Sequence, residues 1–588
     1  MILNQKIINR YSHILPYLIF FTGSVLFFGL FASYIEFRQE KLSLFVFSCD
    51  YFIDNLNQPG APLVYLGKFF TTFYYYPFAG ALIISATICL IILIISKIIS
   101  CLSGKSSVVV PFIFGAVVFF LQTNYQYLLY NSLGLLLQVT MFYLTMRYLK
   151  GWIPVFIFPF WYYLTGGFAW IFGLMYSFYL LRDRTVKVRI RILIFWVTIL
   201  VIVFLLKEYF LFQPASALFL FPFSNENAGS QFSFFIPVIS LIVLLPLVTK
   251  ISLDLLSKIK IGSRLISVMP TLITLILISL IAIFGYDRNS RDYFQVEKLF
   301  YGERFDELID FNRKHPTTNR LTIFLNNIAL CETGKLNDQL FCFPQSPDGQ
   351  SLFLKWEMFG EVLRRGGYFY YTTGMINEAH RWAYENMIMK GLTPEGLKML
   401  IKTELINGNY KVASKYISVL KKSLFYRNDA DAYDRLLFND NAVVAQPDLG
   451  AKRKEKIGHD FFSITDNPFI NIERVLAFDS LNRKAFEYKL AYLMLIKDYK
   501  GIASGLTKLE SFGFNKIPVH LEEAAMVYRI SNLGPMPNLG SLKIDPQTEA
   551  RFKQFLQTFQ TYGNNLKTAQ PFLKQKFGNT FWYYAFYH

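Results

Sequence analysis

Charge is scarce in this chain. Asp, Glu, Lys and Arg make up 17% of 588 residues, where a soluble protein carries about 25%. Cysteine is scarcer still, at five, which excludes a disulfide-held scaffold. Histidine occurs six times. No Cys/His metal cluster, haem ligand pair or Walker motif is present, so respiratory, ATPase and zinc-enzyme chemistry lose their usual carriers. What remains is apolar: 53% hydrophobic residues and a mean hydropathy of +0.32. Disorder, a collagen-like chain and a wholly soluble globule are excluded.

The formal charge of +18 invites a nucleic-acid reading, but the placement of the charges opposes it. Residues 1–285 hold 19 Lys and Arg and 8 Asp and Glu, leaving 40 and 33 for residues 286–588. The composition changes near Tyr286, from a membrane half to a half with ordinary charge density. A span needs about 20 apolar residues. The candidates are 14–34, 77–97, 107–122, 128–147, 152–181, 190–212, 233–250 and 265–285. The first is too long for a signal-peptide core and reads as an uncleaved anchor. Segment 152–181 is broken at Gly166-Gly167 and has basic residues at both ends, so it is two short helices or a re-entrant pair. The total is nine crossings, or seven plus the pair.

Fifteen of the 19 basic residues of this half collect on one face, which is then cytoplasmic. The amino terminus lies inside, and an odd number of crossings puts residues 286–588 outside. In a Gram-negative bacterium that is the periplasmic side of the inner membrane. The positive charge is a topology signal, and nucleic acid is not an expected partner. Acids show the reverse bias, with Glu36, Glu40, Asp50, Asp54, Glu208 and Glu226 in or near outer loops. They are either merely excluded from the inner loops or gathered in an outward cleft.

The first outer loop, residues 36–77, is the most informative stretch. Residues 42–56 are largely apolar but carry Asp50 and Asp54, whose i, i+4 spacing sets both on one helical face. Asn57-Gln58-Pro59-Gly60 forms a turn. An amphipathic piece over 62–75 then carries Lys68 and several aromatics, so both pieces suit the membrane surface. Two carboxylates there offer a general base for an acceptor hydroxyl, or a site for a divalent cation that neutralises a phosphate leaving group. The alternative is the wet face of an interfacial helix.

An inward amino terminus, a first span and a long outer loop of two juxtamembrane helices with an early Asp resemble the GT-C superfamily of membrane glycosyltransferases. The resemblance covers the membrane half. It implies a polyprenyl-phosphate-linked sugar donor, a protein or glycan acceptor, and Asp50 as base or metal ligand with Asp54 in support. A divalent cation, Mg or Mn, is the cofactor it allows. The chain also resembles an uncharacterised family of bacterial polytopic proteins with a helical-repeat tail, through Asp50-Tyr51-Phe52 and Pro59-Gly60.

Further substrate-binding candidates are Lys68, Tyr125 and Gln126 in the patch after the third span, and Glu226 in the Phe- and Pro-rich loop 213–232. Arg288 and Arg291 follow the last span and suit a lipid phosphate; the plain reading is a membrane-boundary marker. Residues 286–588 read as helical. Gly374, Ala379 and Trp382 recur as Gly408, Ala413 and Tyr416 after 34 residues, the tetratricopeptide period. The expected fold is therefore all-α: a polytopic domain over 1–285, then a TPR-like solenoid over 286–588. Such an array binds a partner or acceptor, or braces the membrane domain. Cys331 and Cys342, 11 positions apart, are placed to form a disulfide in an oxidising compartment. The aromatic tail 581–587 is expected to pack back onto the protein or the membrane surface. The leading function is sugar transfer. The alternatives are a membrane-anchored TPR scaffold for envelope assembly and a transporter of lipid-linked intermediates, which the lack of buried charge disfavours.

Overall fold

The computed structural model describes residues 2–104, 109–149, 151–182, 185–223, 229–247, 263–357, 361–456, 467–531, 533–563 and 565–588. Among them every regular element is a helix and no strand occurs. The chain divides into two compact units. One is Met1–Arg288 with Lys422–Phe425, and the other is Asn289–Lys421 with Tyr426–His588.

Among the described residues, four helical stretches are long and apolar enough to cross a membrane, all in the first unit: Ile14–Phe31, Ala79–Ser103, Ile153–Leu180 and Val186–Leu211. The count is five when Thr271–Phe284 and Arg288–Tyr301 are taken together as one. Val109–Gln122 is apolar but shorter. Leu129–Arg147 is not among them, and it buries Asn131, Ser132 and Gln138. The polar side chains are partly satisfied inside the unit: Gln122 donates to Ser132 at 2.7 Å and Trp161 to Gln138 at 2.8 Å. The expected span 233–250 runs into residues 248–250, which lie outside the described residues.

The stretch Ile153–Leu180 is not one straight rod. Helix Ile153–Thr165 ends at Gly166, and a 3-10 turn, Gly166–Phe168, leads into helix Ala169–Leu180. Phe158 meets Trp170 and Phe172 with ring centroids 6.1 and 6.2 Å apart. A 14-residue separation along a straight helix would be about 21 Å, so the two pieces fold back on each other. The reversal needs Gly166, whose φ is +57°.

The second unit is built of helices that pack on their sequence neighbours. Gly374 and Gly408 take φ of +88° and +76° and follow helices Val362–Thr372 and Pro394–Asn407. Ala379 and Ala413 are each fully buried, as close helix approach requires. A Cβ on Gly366 would lie 2.1 Å from the Trp382 ring, so helix Val362–Thr372 meets helix Ile376–Lys390 through bare backbone. Cys331 and Cys342 do not form the expected disulfide: both are free thiols. Cys331 is on the buried face of helix Arg320–Glu332, whereas Cys342 is exposed at the end of the 3-10 turn Leu340–Cys342. The short sequence spacing does not aim the two side chains at one another.

The aromatic tail is helix Phe581–Tyr587, docked inside this unit with Phe581 and Trp582 fully buried. The Phe581 N–H donates to the Glu523 carboxylate at 2.6 Å, and the Trp582 indole N–H donates to the Glu523 carbonyl at 2.9 Å. Burial pushes the Glu523 carboxyl up to about 8 and neighbouring His520 down to about 3. The folded unit therefore holds a proton on Glu523 that the unfolded chain releases above pH 4.5, so this contribution is full below 4.5 and lost as pH rises through 8. His520 acts oppositely, with stability full above 6.5 and lost as pH falls towards 3. Glu523→Gln keeps the acceptor and removes the buried charge. It raises the unfolding temperature at pH 8.5 by a few degrees relative to wild type, and the gain fades towards pH 5. Parallel melting curves for the two proteins across that range would contradict this.

Candidate functional site

The loop over residues 36–77 is a folded element. After the first apolar helix it forms helices Ser33–Leu42, Cys49–Asp54 and Ala61–Thr72. Ser48 starts the second by accepting the Tyr51 N–H at 3.2 Å. Tyr51 and Phe52 join an aromatic cluster with Phe45 and Tyr65, leaving Asp50 and Asp54 on the exposed side. Phe52 and Ile53 beside them are also exposed, an amphipathic pattern fit for a membrane surface.

The turn after this helix is stitched to the reversal at Gly166. Gly60 N–H donates to the Tyr163 carbonyl at 2.9 Å, and Gly167 N–H to the Phe221 carbonyl at 2.7 Å. Tyr163 donates its hydroxyl to the Leu56 carbonyl at 2.5 Å. A Cβ on Gly166 would lie 2.8 Å from the Gly60 Cα and 2.5 Å from the Phe221 oxygen. Three distant segments thus meet backbone to backbone and fix the loop that bears the carboxylates. Lys68, on the third loop helix, donates to the Asn55 side chain at 3.3 Å and lies 5.9 Å from the Tyr51 ring centre. Burial lowers its ammonium below the ordinary lysine value.

The first loop helix holds residues that the sequence places in or near this loop but does not single out as a site. Glu36, Arg38, Gln39 and Glu40 are all buried, at 2–8% exposure. Gln39 donates to the Tyr127 carbonyl at 3.0 Å. Burial, and then the Glu36 charge, hold the Tyr74 hydroxyl well above its usual value. The signal was available: a Glu-Phe-Arg-Gln-Glu-Lys run directly after an apolar helix is expensive to bury unless it is paired or in use.

Tyr125 and Gln126 sit in the turn after Val109–Gln122 and bond each other at 3.4 Å. The structure brings Tyr125 to this helix: burial, followed by Asp287, raises the Tyr34 hydroxyl above its usual value, with Tyr286 and Tyr125 adding to it. A Cβ on Gly285 would lie 2.7 Å from the Thr123 hydroxyl, which sets the 286–287 segment against the same turn. Arg288 is exposed at the end of this unit. Arg291 belongs to the other unit and bonds Asp292 through Nε at 2.8 Å. Glu226 lies outside the described residues. Among the described residues no group of three or more His, Cys, Asp or Glu side chains is placed to hold a metal. Asp50 and Asp54 would supply two carboxylate oxygen donors, with the remainder from substrate phosphate or water.

Gly80 fits this arrangement only as glycine. A Cβ there would lie 2.7 Å from the Glu36 carboxylate carbon. Gly80→Ala therefore displaces a buried carboxylate and costs about 1–3 kcal/mol, read as a lower unfolding temperature of the full chain in detergent. An unchanged melting curve would show that Glu36 is not held there.

The chain belongs to a family of unknown function, DUF6057, with the match running over residues 8–588. No curated protein and no solved structure matches it.

Proposed function

We propose, for this member of DUF6057, that residues 1–285 are a GT-C-like transferase domain. It moves a sugar from a polyprenyl-phosphate-linked donor to an acceptor at the outer face of the bacterial cytoplasmic membrane. Residues 286–588 are then the periplasmic part, a TPR-like repeat that takes up a protein or glycan acceptor. Asp50 acts as base on the acceptor hydroxyl or as ligand to a divalent cation, Mg or Mn, and Asp54 supports it. Lys68 and Arg288 meet donor phosphate. Tyr125 and Gln126 contact the sugar, and Glu226 lies in the later loop over it.

The observation that carries the reading is the fixed first loop. Two exposed carboxylates stand on a short amphipathic helix. The preceding helix buries four polar or charged residues next to the end of an apolar helix. Burying charged side chains is costly even when they are paired, and a reaction centre would give that burial a use. A metal bound at Asp50 would stabilise the phosphate leaving group. The chain's own part is to hold the acceptor hydroxyl near a carboxylate and the donor phosphates near Lys68.

Membranes containing or lacking the full chain test this with radiolabelled polyprenyl-phosphate-linked hexose and the cell's own envelope material. The reading predicts label in a lipid-free product only when the chain is present. Equal incorporation in both would sink it and leave the non-catalytic TPR scaffold for envelope assembly.

A further inference from the structure

The second unit carries an open cleft of about 470 Å³, inside the roughly 300–1,000 Å³ range of small-molecule sites. Its wall is unusual in being both charged and aromatic. Five carboxylates and four ammonium groups line it, together with Phe300, Tyr368, Tyr371 and Tyr433. The lysines are already matched. Lys402 bonds Asp448 at 3.0 Å and Glu303 at 3.1 Å. Lys398 bonds Asp429 at 2.5 Å, and Lys484 pairs with Glu332. Lys452 donates to the Thr372 carbonyl at 2.6 Å and to Glu455 at 3.1 Å. Burial alone would lower the Lys402 ammonium, but Asp448 and Glu303 outweigh it and hold the value above the ordinary one.

That balance selects among ligands. An anion such as a phosphate ester would enter a wall with more carboxylates than ammonium groups and would have to break existing pairs. An apolar ligand would strip water from ion pairs and return nothing. Hydroxyl groups both donate and accept, so they can bond a paired carboxylate or ammonium without separating the pair. The electron-rich faces of the tyrosine rings suit the C–H faces of a sugar ring. Tyr433, half-buried in the wall, is the ring offered for this; Tyr371 is buried, with Lys402 and Lys452 already 5.7 and 5.9 Å from its ring centre.

We propose that this cleft is a binding site for a neutral glycan, engaged through its hydroxyls by the Lys402–Asp448 and Lys398–Asp429 pairs and through a ring face by Tyr433. This goes beyond the transfer reaction, because the cleft binds such a ligand whether or not the membrane half transfers one.

The test is direct binding by the purified full chain in detergent. The probes are neutral oligosaccharides of hexoses and N-acetylhexosamines, phosphorylated or sialylated counterparts, and a panel of random peptides. The expected result is saturable binding of at least one neutral oligosaccharide, weaker binding of its acidic counterpart, and no competition from peptides. Lys402→Met and Tyr433→Ala each weaken it by at least about tenfold in protein that keeps its unfolding temperature. The proposal is overturned if no neutral oligosaccharide binds, if peptides bind instead, or if a folded Lys402→Met or Tyr433→Ala protein binds as wild type. Because Asp50 and label transfer do not enter this readout, its failure is separate from failure of the transferase reading.

Discussion

Asp50→Ala reduces sugar transfer by about 10²–10⁴-fold, the usual contribution of a general base, and leaves the chain folded. The second half of that expectation is what makes it useful. Asp50 and Asp54 are exposed, and no bond from either carboxylate supports the fold, so their removal is within the small range of surface substitutions. Asp54→Ala has the smaller effect, because Asp54 ends its helix while Asp50 stands in the first turn. Initial rates of label transfer, with protein amount and melting temperature matched, check both. If Glu36→Gln abolishes transfer in a folded chain while Asp50→Ala does not, the base is the buried carboxylate and the placement at Asp50 is wrong.

Arg365→Ala destabilises the second unit by about 3–5 kcal/mol, the cost of stranding a buried charge. Arg365 is fully buried, and its guanidinium bonds Glu297 at 2.5 Å, itself 2% exposed. It also donates to the Glu361 carbonyl at 2.8 Å and carboxylate at 2.6 Å, and lies 5.3 Å from the Tyr293 ring centre. Removing the arginine leaves Glu297 with the Tyr301 hydroxyl at 2.8 Å and no cation. Replacing both partners, Arg365→Met with Glu297→Gln, recovers most of the loss, because a neutral pair needs no counter-charge. Unfolding of the full chain in urea, with limited proteolysis reporting on the second unit, measures it. A loss under about 1 kcal/mol for Arg365→Ala would show the pair to be solvent-screened.

Helical character was legible because it is local. Apolar runs, few alternating stretches and the 34-residue recurrence all belong to near neighbours in sequence. Gly374 and Gly408 show how a short-range signal survives folding, since each must take positive φ at a helix end. The candidate site was legible only in outline. Asp50 and Asp54 could be put on one face from spacing alone. Nothing in spacing says that Gly60, Gly166 and the Phe221 carbonyl meet, because Gly60 lies 106 positions before Gly166 and 161 before Phe221. The same limit hid Glu36, Arg38, Gln39 and Glu40. A charged run after an apolar helix carries no local signal of its burial, which only tertiary packing brings about. Cys331 and Cys342 failed for a related reason: proximity in sequence says nothing about which face of a helix a thiol occupies.

The most direct test of the transferase account compares envelope glycans and glycoproteins in three strains of the source organism: the deletion, the deletion carrying wild type, and the deletion carrying Asp50→Ala at equal expression. The account predicts that one glycan is lost in the deletion, restored by wild type and not restored by Asp50→Ala. An unchanged glycan inventory in the deletion, or full restoration by Asp50→Ala, would contradict it.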